Sequence, residues 1–206
     1  WERVENGCPA GGFILRDLEN HDTVTDWPDR MDVLAGHRGM DMVFALNYSI
    51  NGIPMIYGGN ELADTAKINM FANRFHPGKY EFTSRDDAAK NTPDSLRRQA
   101  LLKKLNALRK EDPRFVYGKT EWIDTDCPDD IIAFSRIYEG KKLWFICNPR
   151  NESRTFELSG EIPMDAEKSL VSGVEQKNEK TFEIEPYGFI IVRDLLCGYL
   201  EKPYLL

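Results

Sequence analysis

The sequence predicts an α/β region followed by an all-β region, the second an antiparallel β-sandwich. Two apolar segments, 13–18 and 54–57, flank a stretch in which apolar residues recur at helical spacing, and this indicates a strand–helix–strand unit. After Pro113 the apolar period shortens from about 3.6 to about 2 residues, which is typical of short strands without helices. We therefore expect two domains, residues 1–113 and residues 114–206.

The elements of the first region follow from apolar spacing and from turn-forming residues. The spacing over 31–50 predicts one helix, which Gly52 ends because glycine readily adopts the left-handed conformation at a helix terminus. The short run 54–57 predicts a buried parallel strand. Residues 62–91 show no period and are interpreted as a long loop with one helical turn near Met70. Loops of this length are uncommon unless they are functional.

A second helix is predicted between Thr92 and about Glu111. Thr92 suits a helix cap, and Pro93 suits the first helical turn. The predicted buried stripe consists of Leu101, Leu105 and Leu108. The basic residues are assigned to the solvated face: Arg97, Arg98, Lys103, Lys104, Arg109 and Lys110.

The second region reads as a series of short strands. Segments 131–138 and 142–148 are predicted to form a hairpin through residues 139–141. Further strands are predicted at 154–158, 169–171, 181–184 and 189–192, with turns at Gly160, Gly173 and 186–188. Trp122 and Trp144 are expected in the sandwich core, and Cys147 is expected to be buried in a strand.

Composition excludes some classes of partner. The net charge is −7 and the basic residues are scattered, which argues against nucleic acid and against an anionic membrane surface. A neutral polyol such as a sugar chain is compatible with this charge. The four cysteines contain no Cys-x-x-Cys pair, so zinc or dithiol chemistry is not indicated, and both free thiols and disulfides stay open. The chain begins at Trp1 rather than Met, and we expect that a segment precedes it.

The candidate functional residues stand where the first strand ends. Asn20, His21 and Asp22 follow its apolar residues directly. In a parallel α/β barrel, active sites lie at the carboxyl ends of the strands, so His21 and Asp22 are candidate active-site residues. The alternative is a surface turn or a helix cap.

Three segments, in order, resemble one enzyme family. Residues 20–22 resemble the Asn-His-Asp element at the end of the seventh barrel strand of the α-amylase superfamily, glycoside hydrolase family 13. Residues 52–61 resemble its eighth-strand motif, Gly-x-Pro-x-Ile-Tyr followed by Glu, although Gly58 stands where the family often has a larger side chain. Residues 105–110 match its Leu-x-x-Leu-Arg-Lys helix. The resemblance implies a partial (β/α)8 barrel, its last two β/α units, followed by the carboxyl-terminal β-sandwich.

The resemblance also implies roles for individual residues. Asp22 would be the third catalytic carboxylate of a retaining α-glucan hydrolase or transglycosylase, which binds sugar hydroxyls more tightly in the transition state. The expected substrate-binding residues are Asn20, His21, Trp27, Arg30, Tyr57 and Glu61. Tyr57 and Glu61 are more often structural in this family, and Trp27 could instead fill a gap between loops.

The nucleophile and the acid/base of the family lie upstream of the matched segments. We therefore expect the full-length protein to be an α-amylase-type glycosidase acting on α-glucans or maltooligosaccharides, and this chain alone to be inactive. No cofactor is predicted, although calcium could be bound in the part that is not present. Two alternatives stay open: a non-catalytic amylase-like interaction or sugar-binding protein, and a separate sugar-binding sandwich at 114–206. A helical conformation at Asp22 is expected to argue against the amylase resemblance.

Overall fold

The computed structural model describes residue 9, residues 12–66 and residues 91–194. Contacts divide the chain into two units, Trp1–Asp112 and Pro113–Leu206. The predicted helical turn near Met70, and most of the predicted long loop around it, lie outside the described residues. No helix within the described ranges is both long and apolar enough to cross a lipid bilayer.

The first unit contains a parallel strand pair joined through helices. The strands are β1 (Leu15–Arg16) and β2 (Ile53–Pro54), and the helices between them are α1 (His21–Asp26), α2 (Met31–Leu34) and α3 (Gly36–Ser49). Leu15 pairs with Ile53, so the two side chains share one face of the pair. They are 60% and 48% exposed. The buried strand predicted over 54–57 is observed only at Ile53–Pro54, and residues 54–57 are half-buried, so that prediction is wrong in extent and in burial.

The predicted single helix over 31–50 is two helices, α2 and α3. The break falls at Ala35 and Gly36. The Ala35 N–H donates to the Met31 carbonyl oxygen at the end of α2, and Gly36 has a φ of +70°. Gly52 has a φ of +104°, and a Cβ there would lie 2.7 Å from the Ile14 carbonyl oxygen. Only glycine fits this close approach between the turn after α3 and the start of β1.

The prediction for helix α4 (Pro93–Glu111) is confirmed. Thr92 Oγ1 accepts a hydrogen bond from the Ser95 N–H at 3.1 Å, which caps the helix. The three leucines of the predicted stripe are buried. The solvated assignment is wrong for Arg98, which is fully buried, and for Arg109, which donates to the Tyr48 carbonyl oxygen at 3.0 Å at the end of α3. Desolvation of Arg109 lowers its pKa.

The second unit is a short helix and one antiparallel sheet. Its elements are α5 (Arg114–Tyr117), β3 (Lys119–Trp122), β4 (Ile132–Tyr138), β5 (Lys141–Cys147), β6 (Arg154–Glu157), β7 (Glu167–Gln176) and β8 (Thr181–Arg193). The strand order is β3-β4-β5-β8-β6, and β7 pairs with β8. The hairpin between β4 and β5 is confirmed: Glu139 and Gly140 have φ values of 49° and 74°, the conformation of a type I′ turn.

The long strand β8 curls the sheet on itself. Its first residues, Thr181–Ile184, pair with β6, whereas residues 189–193 pair with β5. The predicted turns at Gly173 and 186–188 are wrong, because both positions are bends inside continuous strands. An added Cβ at Gly188 would lie 2.7 Å from the Gly173 carbonyl oxygen, so the two bends pack closely against each other. The antiparallel β fold is therefore sandwich-like, built from one curled sheet.

The core of the second unit is aliphatic and aromatic. It contains Ile131, Ala133, Trp144, Ile146, Phe156, Leu158, Ile162, Phe182, Ile184, Ile190 and Val192. The predictions for Trp144 and Cys147 are confirmed, since both are buried. The prediction for Trp122 is wrong: it is 48% exposed and lies edge-on to Phe134, at a centroid distance of 5.5 Å.

Candidate functional site

Asn20 is the residue that ends the extended segment and starts helix α1. Its Oδ1 accepts hydrogen bonds from the backbone N–H of Asp22 at 2.9 Å and of Thr23 at 3.0 Å. Thr23 Oγ1 accepts from the Asn20 N–H at 2.9 Å, which completes a reciprocal capping box. Residues 21–22 are therefore helical, and the expectation of extended chain at Asp22 is wrong. The helix-cap alternative describes the local structure, because Asn is among the strongest N-cap residues.

His21 and Asp22 face solvent side by side. Their side chains are 54% and 76% exposed, and His21 Nε2 lies 3.2 Å from Asp22 Oδ1. Asp17, which lies between β1 and the helix, accepts a hydrogen bond from Asn20 Nδ2. The segment thus begins four residues after β1 and presents an imidazole and a carboxylate that can bond to a polyol.

Directly before this segment, Glu19 is buried and forms an ion pair with Arg30. The exposed fractions of the two side chains are 1% and 0%. Arg30 Nη2 lies 2.8 Å from Glu19 Oε2, and Arg30 Nη1 donates to the Ala66 carbonyl oxygen at 3.2 Å. The expectation that Arg30 faces a substrate is therefore not met in this structure, because its guanidinium is directed inward to a carboxylate.

The loop after β2 is attached to the same buried carboxylate. Asn60 Nδ2 donates to Glu19 Oε2 at 2.6 Å, and Asn60 Oδ1 accepts from the Tyr57 N–H at 3.0 Å. Glu61 Oε2 accepts from the Gly59 N–H at 2.8 Å, which shapes the start of the short 3₁₀ helix Asn60–Leu62.

Two aromatic candidates remain partly accessible. The Tyr57 ring is half-buried, with the Arg30 guanidinium carbon 5.8 Å from its centroid. Trp27 is 38% exposed, and its backbone N–H donates to the Thr23 carbonyl oxygen at the end of α1. Sugar contact by either ring stays a prediction.

A second buried charge cluster was missed by the sequence analysis. Arg98 donates to both carboxylate oxygens of Asp32, at 2.8 and 3.2 Å, and also to Asp41. Burial opposes its charge, but these two carboxylates raise the pKa of Arg98 above its ordinary value. Arg98 also donates to the Asn60 carbonyl oxygen at 2.8 Å, which ties α4 to the loop after β2. The signal that could have revealed it is the pair of aspartates at helix positions otherwise occupied by apolar residues.

The neighbouring Arg97 occupies the partly exposed rim of this cluster. Its Nε donates to Asp41 Oδ2 at 2.6 Å, and its Nη1 lies 2.5 Å from Asp94. That hydrogen bond from Arg97 lowers the pKa of Asp94. His37 Nδ1 lies 2.9 Å from Asp32 Oδ1, which places an imidazole beside the same carboxylates.

Two cavities of about 290 and 300 Å³ lie in the second unit, and none of the predicted site residues lines them. One lies at the Gly173 bend with Glu175, Glu183 and Glu185, and the other lies beside Trp122. Among the residues that the structure describes, no three acidic, histidine or cysteine side chains lie together in a way that could hold a metal ion.

Comparison with known proteins identifies relatives that this chain resembles in part. No protein-family model matches the chain. An oligo-1,6-glucosidase of Halalkalibacterium halodurans is 31% identical over 87 residues, which cover 41% of this chain and 15% of that protein. A cyclomaltodextrin glucanotransferase of Geobacillus stearothermophilus is 28% identical over 146 residues, which cover 69% of this chain and 17% of that protein. The chain thus spans about a sixth of the length of these relatives.

Solved structures match most of the chain. A maltogenic α-amylase of Thermotoga neapolitana has a TM-score of 0.66 at 19% identity, covering 91% of this chain and 42% of that one. The trehalose-6-phosphate hydrolase of Bacillus licheniformis has a TM-score of 0.66 at 21% identity, covering 89% and 43%. Sequence and fold both resemble the carboxyl-terminal part of α-amylase superfamily proteins, glycoside hydrolase family 13, so the expectation that a helical Asp22 would argue against this resemblance is wrong.

Proposed function

We propose that this chain supplies the last two β/α units of the barrel, and the following β domain, of a retaining enzyme that hydrolyses or transfers α-glucans. The observation that carries the proposal is the exposed His21–Asp22 pair, which begins five residues after a parallel strand. The names of the relatives, an oligo-1,6-glucosidase and a cyclomaltodextrin glucanotransferase, support a carbohydrate substrate.

Asp22 is assigned the role of stabilising the transition state. Its carboxylate is 76% exposed, so it can accept hydrogen bonds from sugar hydroxyls of the reacting unit. These bonds strengthen as the ring flattens toward an oxocarbenium ion, and an interaction that strengthens in the transition state raises kcat. His21, whose Nε2 lies 3.2 Å from Asp22, donates a hydrogen bond to the same sugar.

The short parallel pair supports the assignment to a partial barrel. Parallel sheets are normally covered on both faces, whereas Leu15 and Ile53 are exposed on one face of this pair. Further barrel strands would cover that face. The nucleophile and the acid/base belong to those strands, and the chain alone is therefore inactive in this proposal.

The proposal is tested with the full-length protein encoded around this chain. We expect the full-length protein to turn over maltoheptaose and the isolated chain not to do so. In the full-length protein, Asp22→Asn should lower kcat by about 10²–10³-fold, as expected for the loss of one group that stabilises transition-state charge.

The matched control is Asp26→Asn, an exposed carboxylate at the end of the same helix, which should leave kcat unchanged. Turnover by the isolated chain, or full activity of Asp22→Asn, would contradict the proposal. Binding of maltoheptaose without turnover by the full-length protein would favour the non-catalytic sugar-binding alternative.

A further inference from the structure

We infer that Glu19 is a positioning residue for Asp22, a role that rests on the proposed function. Glu19 immediately precedes the Asn20–Asp22 segment, is 1% exposed, and has no access to substrate. Its carboxylate instead fixes the backbone from which Asp22 projects.

The first argument is the number and origin of the groups that bind Glu19. Its Oε1 accepts the Met31 N–H at 2.5 Å, and its Oε2 accepts from Arg30 Nε at 2.9 Å and Asn60 Nδ2 at 2.6 Å. Met31 begins helix α2, and Asn60 lies in the loop after β2. One carboxylate therefore holds two loops to the end of the β1 segment.

The second argument is that Asp22 has few constraints of its own. Its side chain is 76% exposed and lies against the adjacent His21. Its direction is therefore set by the backbone, through the Asn20 capping box and the buried anchor at Glu19. A displacement of about 1 Å at a reacting group can cost about 100-fold in rate, so the anchor affects kcat without touching substrate.

The third argument is electrostatic. Both side chains of the Glu19–Arg30 pair are buried. A neutral residue at position 19 therefore leaves the buried Arg30 guanidinium without its carboxylate partner. Glu19→Gln also brings an amide N–H toward the donors of Arg30 and Asn60. The loops held at this point should therefore shift, and Asn20–Asp22 should shift with them.

The test is a double-mutant cycle in the full-length enzyme with maltoheptaose as substrate. Glu19→Gln should lower kcat by about 10–100-fold with a smaller change in KM. In the Asp22→Asn background the same substitution should change kcat less than about twofold, because groups that act as a unit are not additive. An equal loss in both backgrounds, or a change in KM alone, would overturn the inference.

A control separates positioning from general loss of stability. Leu105→Ala removes a fully buried leucine from α4 of the same unit and has none of these hydrogen bonds. Assayed well below its Tm, Leu105→Ala should change kcat less than about twofold. If it lowers kcat as much as Glu19→Gln does, the effect is one of stability and the inference is wrong.

Two further measurements keep the test decisive. If Glu19→Gln does not fold, Asn60→Ser removes one of the three residues that donate to Glu19 and should show the same non-additivity with a smaller loss of kcat. Hydrogen exchange of the Asp22 and Thr23 amides, which bind Asn20 Oδ1, should accelerate at least fivefold in Glu19→Gln or Asn60→Ser but not in Leu105→Ala. Unchanged exchange overturns the inference. A wild-type enzyme without turnover overturns the proposed function instead, and the exchange result then decides on Glu19 alone.

Discussion

The two units differ in what fills their interiors. In the first unit, buried carboxylates pair with buried arginines, Glu19 with Arg30 and both Asp32 and Asp41 with Arg98. In the second unit, aliphatic and aromatic side chains such as Phe156 and Phe182 pack within a curled sheet, and the buried Arg114 and Arg136 donate to backbone carbonyl oxygens. A buried ion pair depends on both partners being present and charged, whereas an apolar core depends on shape. The difference teaches that the unit carrying the candidate site depends on buried carboxylate–arginine pairs, in which the loss of one charge leaves the other buried without its partner.

The largest effect is expected from removing Arg98. Arg98→Met leaves the buried Asp32 without its arginine and leaves Asp41 with Arg97 alone, and should destabilise the first unit by about 3–5 kcal/mol. Arg97→Met, whose arginine is 43% exposed, should cost at most about 1 kcal/mol. Hydrogen exchange in urea, read separately over α4 and over β4–β5, measures each unit. An equal loss of stability in both units would contradict the difference drawn between them.

A shape-dependent effect of intermediate size is expected in the second unit. Gly188→Ala places a methyl group 2.7 Å from the Gly173 carbonyl oxygen and should destabilise the curled sheet by about 1–3 kcal/mol. Gly160→Ala is the control, because nothing lies within 4 Å of an added Cβ there. The midpoint of urea unfolding, followed by fluorescence of Trp144, measures both. Equal midpoints for the two variants would show that the bends tolerate side chains.

The smallest effect is a loss of stability in acid. The hydrogen bond from Arg97 holds the pKa of Asp94 below 3.8, so its stabilisation is full above about pH 4. That stabilisation disappears as pH falls through the lower, folded pKa. Asp94→Asn should therefore cost about 0.3–0.5 kcal/mol at pH 6, the screened value for an exposed helix pair, and less at pH 2. Thermal unfolding of Asp94→Asn at the two pH values measures the loss of stability. A larger loss at pH 2 than at pH 6 would contradict the prediction.

Asp130 offers the same comparison in the second unit. A hydrogen bond from Arg154 lowers the pKa of Asp130, so Asp130→Asn should follow the same pH direction. Because Asp130 lies at the surface, its effect should reach only its own unit. A shift of the first unit's unfolding in this variant would argue that the two units unfold together.

The sequence predicted elements whose signals are local. Helix α4 begins at the cap and proline that mark it, and the hairpin turns at Glu139 and Gly140, where glycine suits the positive φ of a type I′ turn. Periodicity and turn chemistry depend on neighbouring residues, so a single sequence carries them. The strands of the second unit were found for the same reason, except β3.

The failures depend on contacts between distant segments. Arg97 and Arg98 are adjacent and chemically identical, and only the fold buries the second of them while the first remains 43% exposed. Residues 186–188 combine proline and glycine as turns do, yet here they bend a strand that pairs on both sides of the bend. At the candidate site, the sequence located the solvent-facing pair, but the burial of Glu19 and Arg30 could not be predicted.

Asn60 links the two charged clusters of the first unit. Its amide side chain binds Glu19 while its carbonyl oxygen binds Arg98, so one residue joins both networks. Substitutions on the long helix should therefore be transmitted to the strand ends, and variants at Arg98 and Glu19 should show coupled rather than independent phenotypes. In a mutational survey, position 60 should accordingly tolerate far fewer replacements than the open surface around it.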